Sequence, residues 1–219
     1  MLGYENFLIV LLYILILNFF FTKISFLKDK KEISKHKSFI SHKLKPPFSG
    51  GIFFLLTIFI FFPNEDFYLK TFLLLIFLIG FFSDLNILKS PNLRFFIQLI
   101  VVISSVIYLD NFIQSVRIEF IDQLFENYLI KLFFTSFCIL ILINGSNFID
   151  GVNTLTVGYY FLVLFFISLI FGGFENSFFN LNLLYILIFA LGLLFILNFF
   201  ELLYLGDSGA YIISFFVGI

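Results

Sequence analysis

Three carboxylates of this chain sit in unusually polar, glycine-rich settings. They are Asp84 in Ser83-Asp84, Asp150 in Asn144-Gly-Ser-Asn147-Phe-Ile-Asp150-Gly151, and Asp207 in Gly206-Asp207-Ser208-Gly209. A fourth segment, Lys45-Pro-Pro-Phe-Ser-Gly50-Gly51, adds a cation and a pair of glycines. Carboxylates with amides and glycines suit one kind of chemistry, the binding of a phosphate-rich substrate through a divalent cation. Mg²⁺ takes one or two carboxylates and fills its remaining positions with water and substrate phosphate oxygens. Glycines let backbone N–H groups approach an anion closely. The three acids are therefore expected to converge on one magnesium–diphosphate unit. Taken singly, each piece has a plainer reading. Gly-Asp-Ser-Gly is a common turn or helix cap, Asn147 and Asp150 can cap a helix, Asp84 can end one, and Gly50-Gly51 can serve close helix packing.

The elements that must position these residues are membrane helices. Of the 219 residues, 61% are hydrophobic and 12% charged, with 39 Phe and no Trp, and mean hydropathy is +1.11. One soluble core cannot hide that much apolar surface. The composition also excludes a disordered chain and a basic nucleic-acid binder, so no nucleic-acid partner is expected. The lone Cys138 excludes an intrachain disulfide. Apolar runs predict helices at 5–22, 50–63, 67–83, 94–110, 129–144, 155–172 and 181–199, with another starting at Ser208. The fold class is thus an all-α polytopic transmembrane bundle of seven full spans and a partial eighth, forming one domain over 1–219. From Ser208 to the last residue a helix would rise only about 18 Å, at roughly 1.5 Å per residue, so the C-terminal part of this domain is expected to be missing. The first run lacks a basic leader and a cleavage site and reads as a retained span. Val116–Phe120, in the longest loop on the far side, reads as a short strand.

Charge sets the orientation. Ten of the 13 basic residues fall on one side: Lys23, Lys28, Lys30, Lys31, Lys35, Lys37, Lys43, Lys45, Lys89 and Arg94. Lys70, Arg117 and Lys131 fall on the other, with eight acids. The positive-inside rule places the first side in the cytoplasm and the N-terminus outside. All four polar segments then share the cytoplasmic face, where the lysine-rich loop would attract nucleotides and anionic membrane lipids. His36 and His42 lie in that loop without metal-ligand spacing.

With these motifs in order, the chain resembles the polyprenyl-phosphate N-acetylhexosamine-1-phosphate transferases of glycosyltransferase family 4, which include phospho-MurNAc-pentapeptide translocase, and within them the UDP-GlcNAc-like branch. His42 to Gly51 is similar to the family's His-x-x-x-x-Pro-x-x-Gly-Gly segment. Gly80-Phe-Phe-Ser83-Asp84, with Arg94 and Gln98 downstream, is similar to its Asp-Asp segment. Asn144, Asn147, Asp150, Gly151 and Leu155 match its Asn- and Asp-rich block, and Gly206 to Gly209 its Gly-Asp-x-Gly block. The resemblance implies transfer of a sugar-1-phosphate from a UDP-sugar to a polyprenyl phosphate, with release of UMP. The site would face the cytoplasm from a bacterial inner membrane, in cell-wall or lipopolysaccharide biosynthesis.

The resemblance also implies residue roles. Asp84, Asp150 and Asp207 would be catalytic, with Asp207 the main Mg²⁺ ligand and Asp150 beside it. His42, Lys45, Asn144, Asn147 and Arg94 would contact substrate, Arg94 alternatively holding the Ser83-Asp84 segment. Oligomeric state stays open, a homodimer included. Three departures stand against the pattern. Ser83 replaces an acid, Thr154 replaces the block's second glycine, and the family's later histidine-bearing loop does not occur within these residues, so this stretch alone is expected to be inactive. Two other classes compete: a multispanning transporter, for which Ser104, Ser105 and Ser168 are weak mid-span support, and a truncated, inactive relative with a structural role.

Overall fold

The computed structural model describes residues 4–24, 27, 46–62, 67–171 and 181–219, and for Phe171 the backbone only. The described residues are all-helical. Helices α1 (Tyr4–Ile24), α2 (Gly50–Phe61), α3 (Phe67–Asp84) and α4 (Pro91–Leu109) are followed by a short α5 (Glu119–Leu124). Then come α6 (Tyr128–Ile149), α7 (Leu155–Phe171), α8 (Leu181–Phe199) and α9 (Gly206–Gly218). Helices α1, α3, α4, α6 and α8 are long and apolar enough to cross a membrane, whereas α2 and α7 are apolar but shorter. These five helices mark a multi-pass membrane protein.

Local chemistry explains the helix ends. Ser90 caps α4, accepting from the Leu93 N–H at 3.4 Å, with Pro91 at the first helical position. Asn127 caps α6 by accepting from the N–H groups of Leu129 and Ile130. The end of α3 is a Schellman turn. Ile87 N–H reaches the Phe82 carbonyl at 2.9 Å and Asn86 N–H the Ser83 carbonyl at 2.8 Å, with Asn86 at φ 60°. Helix α8 ends the same way, Leu202 bonding Leu197 and Glu201 bonding Asn198, but with Glu201 in the left-handed position (φ 54°).

Two expectations need correction. Val116–Phe120 is not a strand: the chain is irregular to Ile118 and α5 begins at Glu119. Asp122 is the reason. Its carboxylate accepts from Val116 N–H and Ser115 Oγ, both at 2.8 Å, folding the segment back on itself. The same bonds, that from Val116 first, hold the Asp122 carboxyl below its ordinary pKa. The second correction concerns Asn144 and Asn147, expected at and beyond the end of a helix closing at residue 144. They lie on α6, which continues to Ile149.

The bundle is organised around α9, although it is only 13 residues long. Gly206 and Ser208 through Phe215 are buried, and α2, α3, α6 and α7 pack on it. Glycine makes this possible. A Cβ on Gly80 of α3 would stand 2.4 Å from the Ser208 Cα, and one on Gly51 of α2 would stand 2.6 Å from the Gly209 nitrogen. Backbones this close are the mark of small-residue helix packing in membranes. Mid-span serines follow the usual pattern too: Ser105 and Ser168 return their hydroxyls to carbonyls of their own helices, each at 2.7 Å.

Candidate active site

The site grows from the close contact of α3 with the start of α9. The first N–H groups of any helix lack intrahelical acceptors, and Leu205 at the N-cap of α9 has no side chain to supply one. Asp84, the last residue of α3, supplies it from outside. Its Oδ1 accepts from the Asp207 N–H at 2.8 Å, and its Oδ2 from the Ser208 N–H at 3.1 Å and the Ser208 hydroxyl at 2.6 Å. The positive end of the α9 dipole favours a carboxylate there. Gly206 makes room for it. Its φ is +76°, and a Cβ would lie 2.8 Å from Asp84 Oδ2.

This cap fixes where Asp207 stands. Arg94, from the first turn of α4, donates through one guanidinium nitrogen to Asp207 Oδ2 at 2.6 Å and to the Ser83 hydroxyl. Ser83 in turn donates to the same Asp207 Oδ2 at 2.5 Å. The side chains of Arg94 and Asp207 are 18% and 29% exposed, so the pair stands at the rim of the protein interior. Three helices thus meet in one small network, and Ser83 works inside it as a neutral bridge between Arg94 and Asp207.

A second polar layer lies between α4, α6 and α9. Asn144 Nδ2 donates to Gln98 Oε1 at 3.1 Å and to the Leu140 carbonyl at 3.0 Å. Asn147 Nδ2 donates to the Tyr211 hydroxyl at 3.4 Å, and Tyr211 is one turn after Asp207 on α9. Gln98 and Tyr211 are buried. Asp150 follows as the C-cap of α6, its N–H bonded to the Ser146 carbonyl at 3.0 Å. Beyond it, Thr154 stands at φ 69°, so the residue that replaces a glycine keeps a backbone that glycine favours. On the opposite flank, Phe48 and Tyr204 form a short parallel bridge, and Gly50 N–H bonds the Tyr204 carbonyl at 3.2 Å. Burial and the nearby Glu201 carboxylate push the Tyr204 hydroxyl's pKa up.

The structure therefore joins Asp84, Ser83, Arg94 and Asp207 directly, and brings Asn144 and Asn147 alongside through Gln98 and Tyr211. His42 and Lys45 lie outside the described residues. Among the described residues no three His, Cys, Asp or Glu side chains gather into a metal-binding group, so the three acids do not form the single grip expected from the sequence. The donor set still fits Mg²⁺ of the phosphate-bridged kind, which needs only one or two protein carboxylates. Asp207 uses Oδ2 for Arg94 and Ser83, and its Oδ1 takes part in neither bond. Sequence reasoning missed Tyr211 and Asn198. Tyr211 carried a signal, lying four residues after Asp207 and so on the same helix face; Asn198 reads from sequence as an ordinary helix end.

No curated protein and no solved structure matches the chain. The family model described as glycosyl transferase family 4 matches residues 67–219, which carry α3 through α9 and every described site residue. The chain belongs to that family, the polyprenyl-phosphate hexosamine-1-phosphate transferases.

Proposed function

We propose that the protein transfers a sugar-1-phosphate, an N-acetylhexosamine-1-phosphate by preference, from a UDP-sugar to a polyprenyl phosphate. A non-bridging oxygen of the lipid phosphate attacks the β-phosphorus of the UDP-sugar. A new P–O bond forms, the bond from the β-phosphorus to the bridging oxygen breaks, and UMP leaves with that oxygen. The reading places this chemistry on the cytoplasmic face of a bacterial inner membrane, N-terminus outside, in the synthesis of cell-envelope polysaccharide. The ten-to-three distribution of basic residues supports the orientation.

The observation that carries the proposal is the setting of Asp207. It stands at the N-terminus of a buried helix, with one oxygen tied to Arg94 and Ser83 and the other outside those bonds. Asp207, with Asp150, would hold Mg²⁺, which supplies charge shielding for the diphosphate and for the leaving phosphate. Arg94 holds the Asp207 carboxylate in position through its guanidinium and adds positive charge at the same rim. Asn144 and Asn147, three residues apart on α6 and joined to the site through Gln98 and Tyr211, have amide chemistry suited to hydrogen bonding with nucleotide or sugar. A dedicated base is not required, since a phosphate monoester with a second pKa of about 6 is already largely ionised at neutral pH. Asp84 then acts by holding the α9 terminus.

The test is UMP release by the purified full-length protein in detergent, supplied with a UDP-HexNAc, a polyprenyl phosphate and Mg²⁺. Release is expected to depend on all three and to vanish in Asp207→Ala. Undiminished turnover in that variant eliminates the assignment.

A further inference from the structure

We propose that Asn198 is a positioning residue that locks the turn after Asp150 to the loop before Asp207. The inference rests on the transferase reading above and adds to it a residue that is not among the site residues expected from the sequence.

Asn198 lies near the end of α8, 3% exposed. Its Oδ1 accepts from the Thr154 N–H at 2.6 Å, and its Nδ2 donates to the Leu203 carbonyl at 3.0 Å. These partners fix the amide's orientation, because a backbone N–H can only donate and a carbonyl can only accept. One planar amide therefore joins two loops, four residues after Asp150 on one side and four before Asp207 on the other. A residue that merely capped α8 would bond within its own helix end. Here that task belongs to the backbone, where Glu201 N–H takes the Asn198 carbonyl at 3.0 Å, leaving the side chain to cross to α7.

The two clamped loops need such a tie. Each turns through a non-glycine residue in left-handed conformation, Thr154 at φ 69° and Glu201 at φ 54°, and such residues persist only where their surroundings hold them. A second link, Asn153 Nδ2 to Glu201 Oε1 at 3.4 Å, runs parallel to the amide. The loop before Asp207 is also anchored away from α7. Tyr204 N–H bonds the Pro47 carbonyl at 2.9 Å, and Asn18 Nδ2 reaches the Leu202 carbonyl at 3.4 Å. That loop is thus the fixed side, and Asn198 transfers its position to the Asp150 turn. Only an amide provides acceptor and donor together here. Aspartate keeps the acceptor and sets a charge against the Leu203 carbonyl, and alanine provides neither.

The experiment measures steady-state kinetics and amide hydrogen exchange on the detergent-solubilised protein as wild type, Asn198→Ala and Asn198→Asp. In Asn198→Ala, KM for the UDP-sugar is expected to rise about ten- to hundredfold, the range for a misplaced binding group. KM for the polyprenyl phosphate should stay within twofold. The Thr154 amide should exchange at least tenfold faster. Asn198→Asp should keep the Thr154 amide protected and give an intermediate KM. A parallel rise in both KM values, or none in either, overturns the proposal and leaves Asn198 a purely structural residue. Should Asn198→Ala not fold, Asn198→Asp decides by the same substrate split. Full-length wild-type protein that turns over no UDP-sugar refutes the transferase reading instead. Independently of any variant, a wild-type Thr154 amide exchanging as fast as an exposed turn refutes the clamp.

Discussion

The cap supplied by Asp84 separates a helix-holding role from a base role. In Asp84→Ala, three donors lose their acceptor: the Asp207 N–H, the Ser208 N–H and the Ser208 hydroxyl. Hydrogen bonds to a charged group contribute about 1.5–3 kcal/mol each, and loss of a helix cap alone costs about 0.5–2 kcal/mol. The three bonds share one carboxylate, so their contributions are not independent and the sum is not threefold. We expect a destabilisation of about 2–4 kcal/mol, which at roughly 2–4 °C per kcal/mol lowers Tm by several degrees or more. Asp84→Asn retains one acceptor oxygen and should lose about half as much. The assay is a thermal scan by circular dichroism in detergent, with hydrogen exchange on peptides spanning Leu203 to Ala210. The Asp207 and Ser208 amides should lose protection in step with Tm, and activity should fall in the same order. If Asp84→Ala and Asp84→Asn were equally inactive while Tm and both amides stayed at wild-type values, the capping argument would be wrong and a direct chemical role for the carboxylate would stand.

Two further outcomes follow from the same contacts. Gly80→Ala places a methyl 2.4 Å from the Ser208 backbone, and overpacking of this kind costs about 1–3 kcal/mol; Gly145→Ala, where a Cβ meets nothing within 4 Å, should leave Tm unchanged, and equal Tm values for the pair would refute the close approach of α3 and α9. Arg94→Ala removes the cation from Asp207 and should lower UMP release at least tenfold, whereas Ser83→Ala leaves the Arg94–Asp207 pair and should stay within threefold; the reverse ranking in the turnover assay would show that Ser83, and not the ion pair, organises the site.

Long apolar runs made the helices legible before any coordinates, because a chain in hydrocarbon must satisfy its backbone within each segment and leaves few alternatives to a helix. Seven runs read from composition coincide with α1, α2, α3, α4, α6, α7 and α8. Motif residues were legible as well, since Asp84, Asp207, Asn144 and Asn147 sit where polar groups have no business in an apolar chain unless they find partners. Val116–Phe120 was misread because β-propensity ignores a carboxylate several residues downstream, and Asp122 folds that segment into a turn.

What tertiary structure alone decided is which partner each polar group takes. Asp84 reads from sequence as one of three equal acids, yet its position opposite the uncapped start of α9 turns it into that helix's cap, because Leu205 lacks an acceptor there. Ser83 reads as a lost carboxylate, yet between Arg94 and Asp207 it is a bridge. Asn198 carries no motif, and only the meeting of two loops distant in the chain reveals its amide between them. Periodicity and composition act along the chain and can be read from it. Hydrogen-bond partners more than a hundred residues apart are settled by how closely the glycines let the helices approach.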